Sequence, residues 1–291
     1  MFKGSFPALI TPFKNGEVDE DNFRAFVNWQ IEEGSDGLVP CGTTGESPTL
    51  SHFEHMKVTE ICIEEAKGRV PVLAGAGSNS TKEAVELTRH AKKVGADAAL
   101  VVTPYYNKPT QEGLYEHFKA VQDVGLPIVI YNIPARSVID MSCETTAKLA
   151  KLPNIIGVKD ATANLTRPQM TKIAMDGAKF CHMSGEDGTA LPFLAAGGDG
   201  CISVTANIAP RTCADMQRAW RKQRIEQCME LQDRLMPVHD ALFCETSPGP
   251  VKYAASLLGK CSSDLRLPMT EITESSKKAV RNALVKSGLL N

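Results

Sequence analysis

Three short segments of the chain carry side chains able to do carbonyl chemistry. The run Ile155-Ile156-Gly157-Val158-Lys159-Asp160 ends an apolar stretch in a lysine. Lysine is rarely buried without a task; desolvation disfavours the ammonium, and the neutral amine is the form that attacks carbonyls. A lysine that snorkels from a strand end and pairs with Asp160 would look the same. The segment Tyr131-Asn132-Ile133-Pro134-Ala135-Arg136-Ser137 sets a phenol, which can relay protons, a few residues before a guanidinium, which can hold a carboxylate through two bonds. A capped core tyrosine and a surface ion pair would fit that spacing equally. The third segment, Cys41-Gly42-Thr43-Thr44-Gly45-Glu46-Ser47, is a glycine-rich turn whose backbone N–H groups can converge on a small anion beside two hydroxyls. An ordinary tight turn is the competing reading.

These groups need a scaffold, and the pattern around them supplies one. Short β-branched runs recur at Ala8–Ile10, Gly37–Val39, Val70–Ala74, Ala98–Val102, Pro127–Tyr131, Ile155–Lys159, Phe180–Ser184 and Cys201–Val204, which makes eight candidate strands. Between them lie stretches with helical spacing, such as Phe23, Phe26, Val27 and Ile31, or Leu114, Phe118 and Val121. Gly34, Gly95, Gly125 and Gly177 each stand just before a strand, where a helix C-cap is expected. Apolar strands alternating with helices imply a parallel sheet with right-handed crossovers. Eight such units predict a (β/α)8 barrel over residues 1–224, ahead of a doubly wound sheet because no GxGxxG follows the first strand. Three helical patterns, Ile225–Leu242, Val251–Leu258 and Thr270–Leu289, predict a C-terminal helical domain over 225–291, with Pro248, Gly249 and Pro250 breaking the chain inside it. In such a barrel the ends of strands two, five and six share one mouth, where Thr43, Tyr131 and Lys159 could converge.

Composition narrows the function classes. A formal net charge of −2, with no dense basic cluster, argues against a nucleic-acid partner. The N-terminal segment lacks the features of a secretion signal, and no apolar run approaches the length of a membrane span, so a cytoplasmic protein is expected. The nine cysteines are odd in number and form no CxxC pair; Cys62, Cys181 and Cys201 fall in apolar patterns, as buried thiols would. His52 and His55 do not make HExxH and lack a third ligand nearby, so no metal is expected.

Taken together, GTTGES, YNIPARS and GVKDAT resemble, in order and spacing, the signatures of the dihydrodipicolinate synthase and N-acetylneuraminate lyase superfamily of Schiff-base pyruvate enzymes. The resemblance runs from SFPALITPF through ISVTAN to the PVKYA segment and is strongest to the dihydrodipicolinate synthase branch. It implies that Lys159 is the Schiff-base lysine, and that Thr43, Tyr131 and Tyr106 form a proton relay in which Tyr106 reaches into a neighbouring subunit's site. It also implies that Thr44 and the turn backbone cradle the pyruvate carboxylate, that Arg136 holds the second substrate, and that Gly185 and Ile202 line the pocket. The implied reaction condenses pyruvate with L-aspartate 4-semialdehyde without a cofactor, the first committed step of lysine biosynthesis through diaminopimelate, in a homotetramer built as a dimer of dimers.

In regulated members of that family, positions matching Ser47, His52, His55, Asn79, Glu83 and Tyr105 bind L-lysine as a feedback inhibitor at the dimer interface; a polar interface without ligand is the alternative. Ser247 stands where an asparagine is usual, and Ser137 where threonine is more frequent. The nearest rival function is that of a sister pyruvate aldolase, an N-acetylneuraminate lyase or a keto-deoxy sugar acid aldolase, over which Arg136 and the tandem Tyr105-Tyr106 favour the synthase branch. A catalytically silent, pyruvate-responsive barrel is the rival from a different class, opposed by the intact Lys159, Tyr131 and Thr43.

Overall fold

A computed structural model describes residues 2–291, which group into two compact bodies, one of Gly4–Pro71 with Ser203–Asn291 and one built on Val72–Ile202. In the first body the opening strand β1 is Gly4–Pro7, earlier than the expected Ala8–Ile10. Ala8 then bridges Val39 in parallel, the Val39 N–H donates to the Pro7 carbonyl at 3.0 Å, and the Leu38 N–H donates to Pro71 at 2.9 Å. The expected strand at Gly37–Val39 is thus reduced to bridges. A Cβ on Gly37 would meet the Phe6 ring at 2.0 Å, and the chain turns away at Cys41, whose φ is 56°.

A hairpin not foreseen from the apolar pattern, β2 (Phe13–Lys14) with β3 (Glu17–Val18), closes on Asn15-Gly16, both at positive φ. Asn-Gly is a strong signal for such a turn, but strands of two residues give no alternation to read. The three C-terminal helices are present as Ile225–Ala241, Gly249–Leu257 and Glu274–Lys286. Leu235 of the first packs with Ala206, Ala209 and Cys213, and Leu289 closes over that cluster.

The second body holds parallel strands β4 (Leu73–Gly75), β5 (Ala98–Val102), β6 (Ile128–Asn132), β7 (Ile155–Asp160) and β8 (Cys181–Ser184), each paired to the next, with β8 paired to β9 (Gly200–Ser203). β5 and β6 are buried along nearly their whole length, as expected of strands covered on both faces. Gly95, Gly125 and Gly177 take φ of 93°, 76° and 78° at helix ends here, as Gly34 takes 94° in the first body. No helix among the described residues is long and apolar enough to cross a membrane.

Candidate active site

The register between β6 and β7 sets the central geometry. Ile128 pairs with Ile155, but Val129 pairs with Gly157, so Ile156 is an extra residue on β7. The bulge advances β7 by one position and puts Lys159, rather than Val158, opposite Tyr131. Because side chains alternate faces along a strand, that single step decides whether the amine and the phenol share a face. They do: Lys159 Nζ lies 4.0 Å from the centre of the Tyr131 ring, and both residues are only 6% exposed. Gly157 lets β8 approach, since a Cβ there would come 2.8 Å from the Cβ of Cys181.

Asp160 is committed elsewhere. Its carboxylate accepts from Arg167 Nε at 2.9 Å and from the backbone and hydroxyl of Thr162 at 2.9 and 2.6 Å. The reading of Lys159 as a surface-seeking partner of Asp160 therefore gives way to a buried lysine over a phenol. Beyond β8, the Gly185 N–H donates to the Asp160 carbonyl at 2.6 Å, and a Cβ at Gly185 would meet that of Ala161 at 2.7 Å. Ile202 is buried on β9.

Glu186, next to Gly185, joins this surrounding without a signal in the sequence. Burial and the neighbouring Asp187 raise its carboxyl above the usual range, while Lys159 acts in the opposite direction. An acidic pair after a strand gives no sign by itself that it will face a lysine.

Arg136 is exposed on a one-turn helix, Pro134–Ser137. The Ser137 hydroxyl donates to the carbonyls of Ile133 and Ile139 at 2.9 and 3.0 Å, which closes the turn around Arg136. Tyr106, at φ 72°, is 88% exposed on this chain. Asn79, Glu83 and Tyr105 come together: burial first, then the charge of Glu83, raises the Tyr105 phenol, which bonds Asn79 backbone, and the Ser78 hydroxyl donates to Glu83.

In the other body the segment Gly42–Ser47 forms the expected tight turn. The Gly42 carbonyl accepts from the N–H of Gly45 at 3.1 Å and of Ser47 at 3.4 Å, and Thr43 accepts from Glu46 at 3.1 Å. Three amides of the turn thus bond inward, which leaves those of Gly42, Thr43 and Thr44 as its candidates for an anion. Thr43 is half-buried and Thr44 buried. Ser47 follows at once, and His52 and His55 lie on the helix His52–Ala66, the first exposed and the second buried. No group of three or more metal-ligating side chains occurs among the described residues.

The least foreseen feature is a buried ion pair, Lys252 Nζ to Glu46 Oε1 at 2.7 Å, tying the turn's last carboxylate to the helix Gly249–Leu257. A lysine among Pro250, Val251, Tyr253 and Ala254 was the available sign.

Comparison with known proteins shows the family of the chain. A sequence profile of the dihydrodipicolinate synthetase family matches residues 1–287. The 4-hydroxy-tetrahydrodipicolinate synthase of Rhodospirillum centenum is 65% identical over the full length of both chains. Among solved structures, the chloride-inhibited dihydrodipicolinate synthase of Acinetobacter baumannii, complexed with pyruvate, superposes with a TM-score of 0.97 at 44% identity, over 100% of each chain. The enzyme of Cyanidioschyzon merolae with lysine bound gives 0.94 at 38% identity, over 99% of each. The chain belongs to the dihydrodipicolinate synthetase family.

Proposed function

We propose that this protein is a 4-hydroxy-tetrahydrodipicolinate synthase, joining pyruvate to L-aspartate 4-semialdehyde through a Schiff base on Lys159. The observation that carries the reading is the buried Lys159 amine held 4.0 Å over the Tyr131 ring while Asp160 is taken by Arg167. The neutral amine adds to the ketone of pyruvate, and loss of water gives a protonated imine. That imine accepts the electrons released when a methyl proton leaves, so the enamine carbon can add to the aldehyde of the second substrate. The substrate's own amine then displaces Lys159 and closes the ring. Tyr131 is the proton carrier, with Thr43 and Tyr106 as the relay. The lysine itself supplies the electron sink, so the reading requires no cofactor.

The remaining roles are assigned on motif and local geometry. Thr44 with its turn takes the pyruvate carboxylate, Arg136 the carboxylate of the second substrate, and Gly185 and Ile202 line the pocket. The 88% exposure of Tyr106 supports a role in a partner's site within a dimer of dimers. The cluster of Asn79, Glu83 and Tyr105, with Ser47, His52 and His55, is the proposed site for L-lysine. The strands are proposed to close as a (β/α)8 barrel over residues 1–224, with 225–291 as the helical appendage; the bonds from Val39 to Pro7 and from Leu38 to Pro71 support closure. A cytoplasmic location completes the reading.

Borohydride reduction in the presence of pyruvate tests the core claim. Pyruvate is expected to become attached to the peptide containing Lys159, and attachment elsewhere, or none, would remove the mechanism.

A further inference from the structure

The turn that carries Thr43 and Thr44 is held by more than its own backbone. Its exit residue, Glu46, is left-handed at φ 55° and 3% exposed, two unfavourable conditions for a charged side chain. Both of its carboxylate oxygens are engaged: Lys252 Nζ donates to one at 2.7 Å and the backbone N–H of Arg266 to the other at 3.1 Å. Lys252 is fully buried and lies 4.0 Å from the centre of the Phe13 ring; the Arg266 guanidinium lies 4.4 Å from the same centre and bonds the Thr49 carbonyl at 2.9 Å. One residue earlier, the Thr11 hydroxyl donates to the Gly45 carbonyl at 2.7 Å, and a Cβ on Gly45 would meet the Leu9 carbonyl oxygen at 2.9 Å.

A buried ion pair contributes little net stability compared with apolar packing, because both charges must leave water. Burial pushes the Lys252 ammonium down, against the opposing effect of Glu46. Placement is the better account of why such a pair is kept here. The restraints fall on the residues immediately after Thr43-Thr44, and those on Glu46 come from positions more than 200 residues later in the chain.

We infer that Thr11, Glu46 and Lys252 form a clamp that positions the pyruvate-carboxylate cradle, acting through Thr43 and Thr44 without touching substrate. The inference rests on the reading of this turn as the cradle. It gives the C-terminal helices a task in the reaction: they supply the cation that keeps the turn in its binding shape.

The double variant Glu46→Gln with Lys252→Met removes both charges at similar volume, so no buried charge is stranded and the fold is expected to persist. Two readouts apply, the pyruvate dependence of borohydride trapping and the steady-state constants for both substrates. The half-saturating pyruvate concentration should rise roughly tenfold to a hundredfold, with KM for L-aspartate 4-semialdehyde changed by less than about twofold. Thr11→Val, which loses only the Gly45 contact, should show a smaller rise of the same kind and decides the matter if the double variant does not fold. An unchanged pyruvate dependence in the folded variants would overturn the clamp, as would parallel rises in both KM values that track a lower melting temperature. A wild-type protein that traps no pyruvate would overturn the cradle reading with it; one that traps normally while the variants stay unmoved removes the clamp alone.

Discussion

At the scale of single residues, the proposed chemistry rests on a lysine and a tyrosine whose types and spacing are visible in the chain. Lys159→Ala should lose all trapping of pyruvate by borohydride, as read by mass spectrometry of the peptide. Tyr131→Phe should keep its melting temperature while kcat falls by about 10²–10⁴, the range for loss of a positioned proton carrier. Unaltered kcat in that variant would take Tyr131 out of the relay. Lys159, Tyr131, Arg136 and the threonines of the turn are legible because each ends or closely follows a short apolar run in the sequence. Glu46, Lys252 and Glu186 were not, because an ion pair between residues so far apart in the chain, or a buried carboxyl in the loop after the next strand that feels a lysine's charge, has no local pattern. The status of Asp160 was equally hidden: only the fold shows that Arg167 engages it.

At the scale of elements, most strands and helices follow from periodicity and glycine placement, but the position of β1, the bridges at residues 38–39, the β2–β3 hairpin and the register do not. The extra Ile156 that brings Lys159 opposite Tyr131 looks in the sequence like any other apolar strand residue. Gly157→Ala tests the packing that this register demands: its methyl would come 2.8 Å from Cys181, and unfolding in urea should show a loss of about 1–3 kcal/mol. The loop at residue 266 carries a second test. Bonds from Arg266 hold the Glu54 carboxyl down at about 2, against the ordinary 4.5 of a free glutamate. A carboxyl whose pKa is lower folded than unfolded stabilises the fold fully above the unfolded value and loses that contribution as pH falls through the folded one. Melting temperature should therefore drop between pH 4.5 and 2, and Arg266→Met should flatten that part of the profile. An identical acid limb in the variant would show that the pair contributes nothing to it.

At the scale of the whole molecule, alternation of strand and helix and the helical C-terminal stretch were readable, while the division into bodies that groups Gly4–Pro71 with Ser203–Asn291 was not, since it depends on long-range contacts. Burial also sets an acid limit for the molecule as a whole. His117 and His182 are pushed down to about 4 by burial, so the unfolded chain takes up protons first; their contribution is complete above the ordinary value of 6.5 and is lost as pH falls towards 4. Stability by calorimetry should decline across that interval, and a flat profile would contradict buried neutral imidazoles. The exposed Tyr106 gives an assembly-level test: if it completes a partner's site, dilution that yields monomers in sedimentation should abolish turnover, and full activity in a monomer would exclude the exchange. The most direct test of the central claim is turnover itself, with pyruvate and L-aspartate 4-semialdehyde coupled to purified dihydrodipicolinate reductase and followed by NADPH loss. NADPH loss that requires both substrates and disappears in Lys159→Ala is the predicted result. No loss from a protein that still traps pyruvate on Lys159 would contradict the synthase assignment and leave only the Schiff-base chemistry of a sister aldolase.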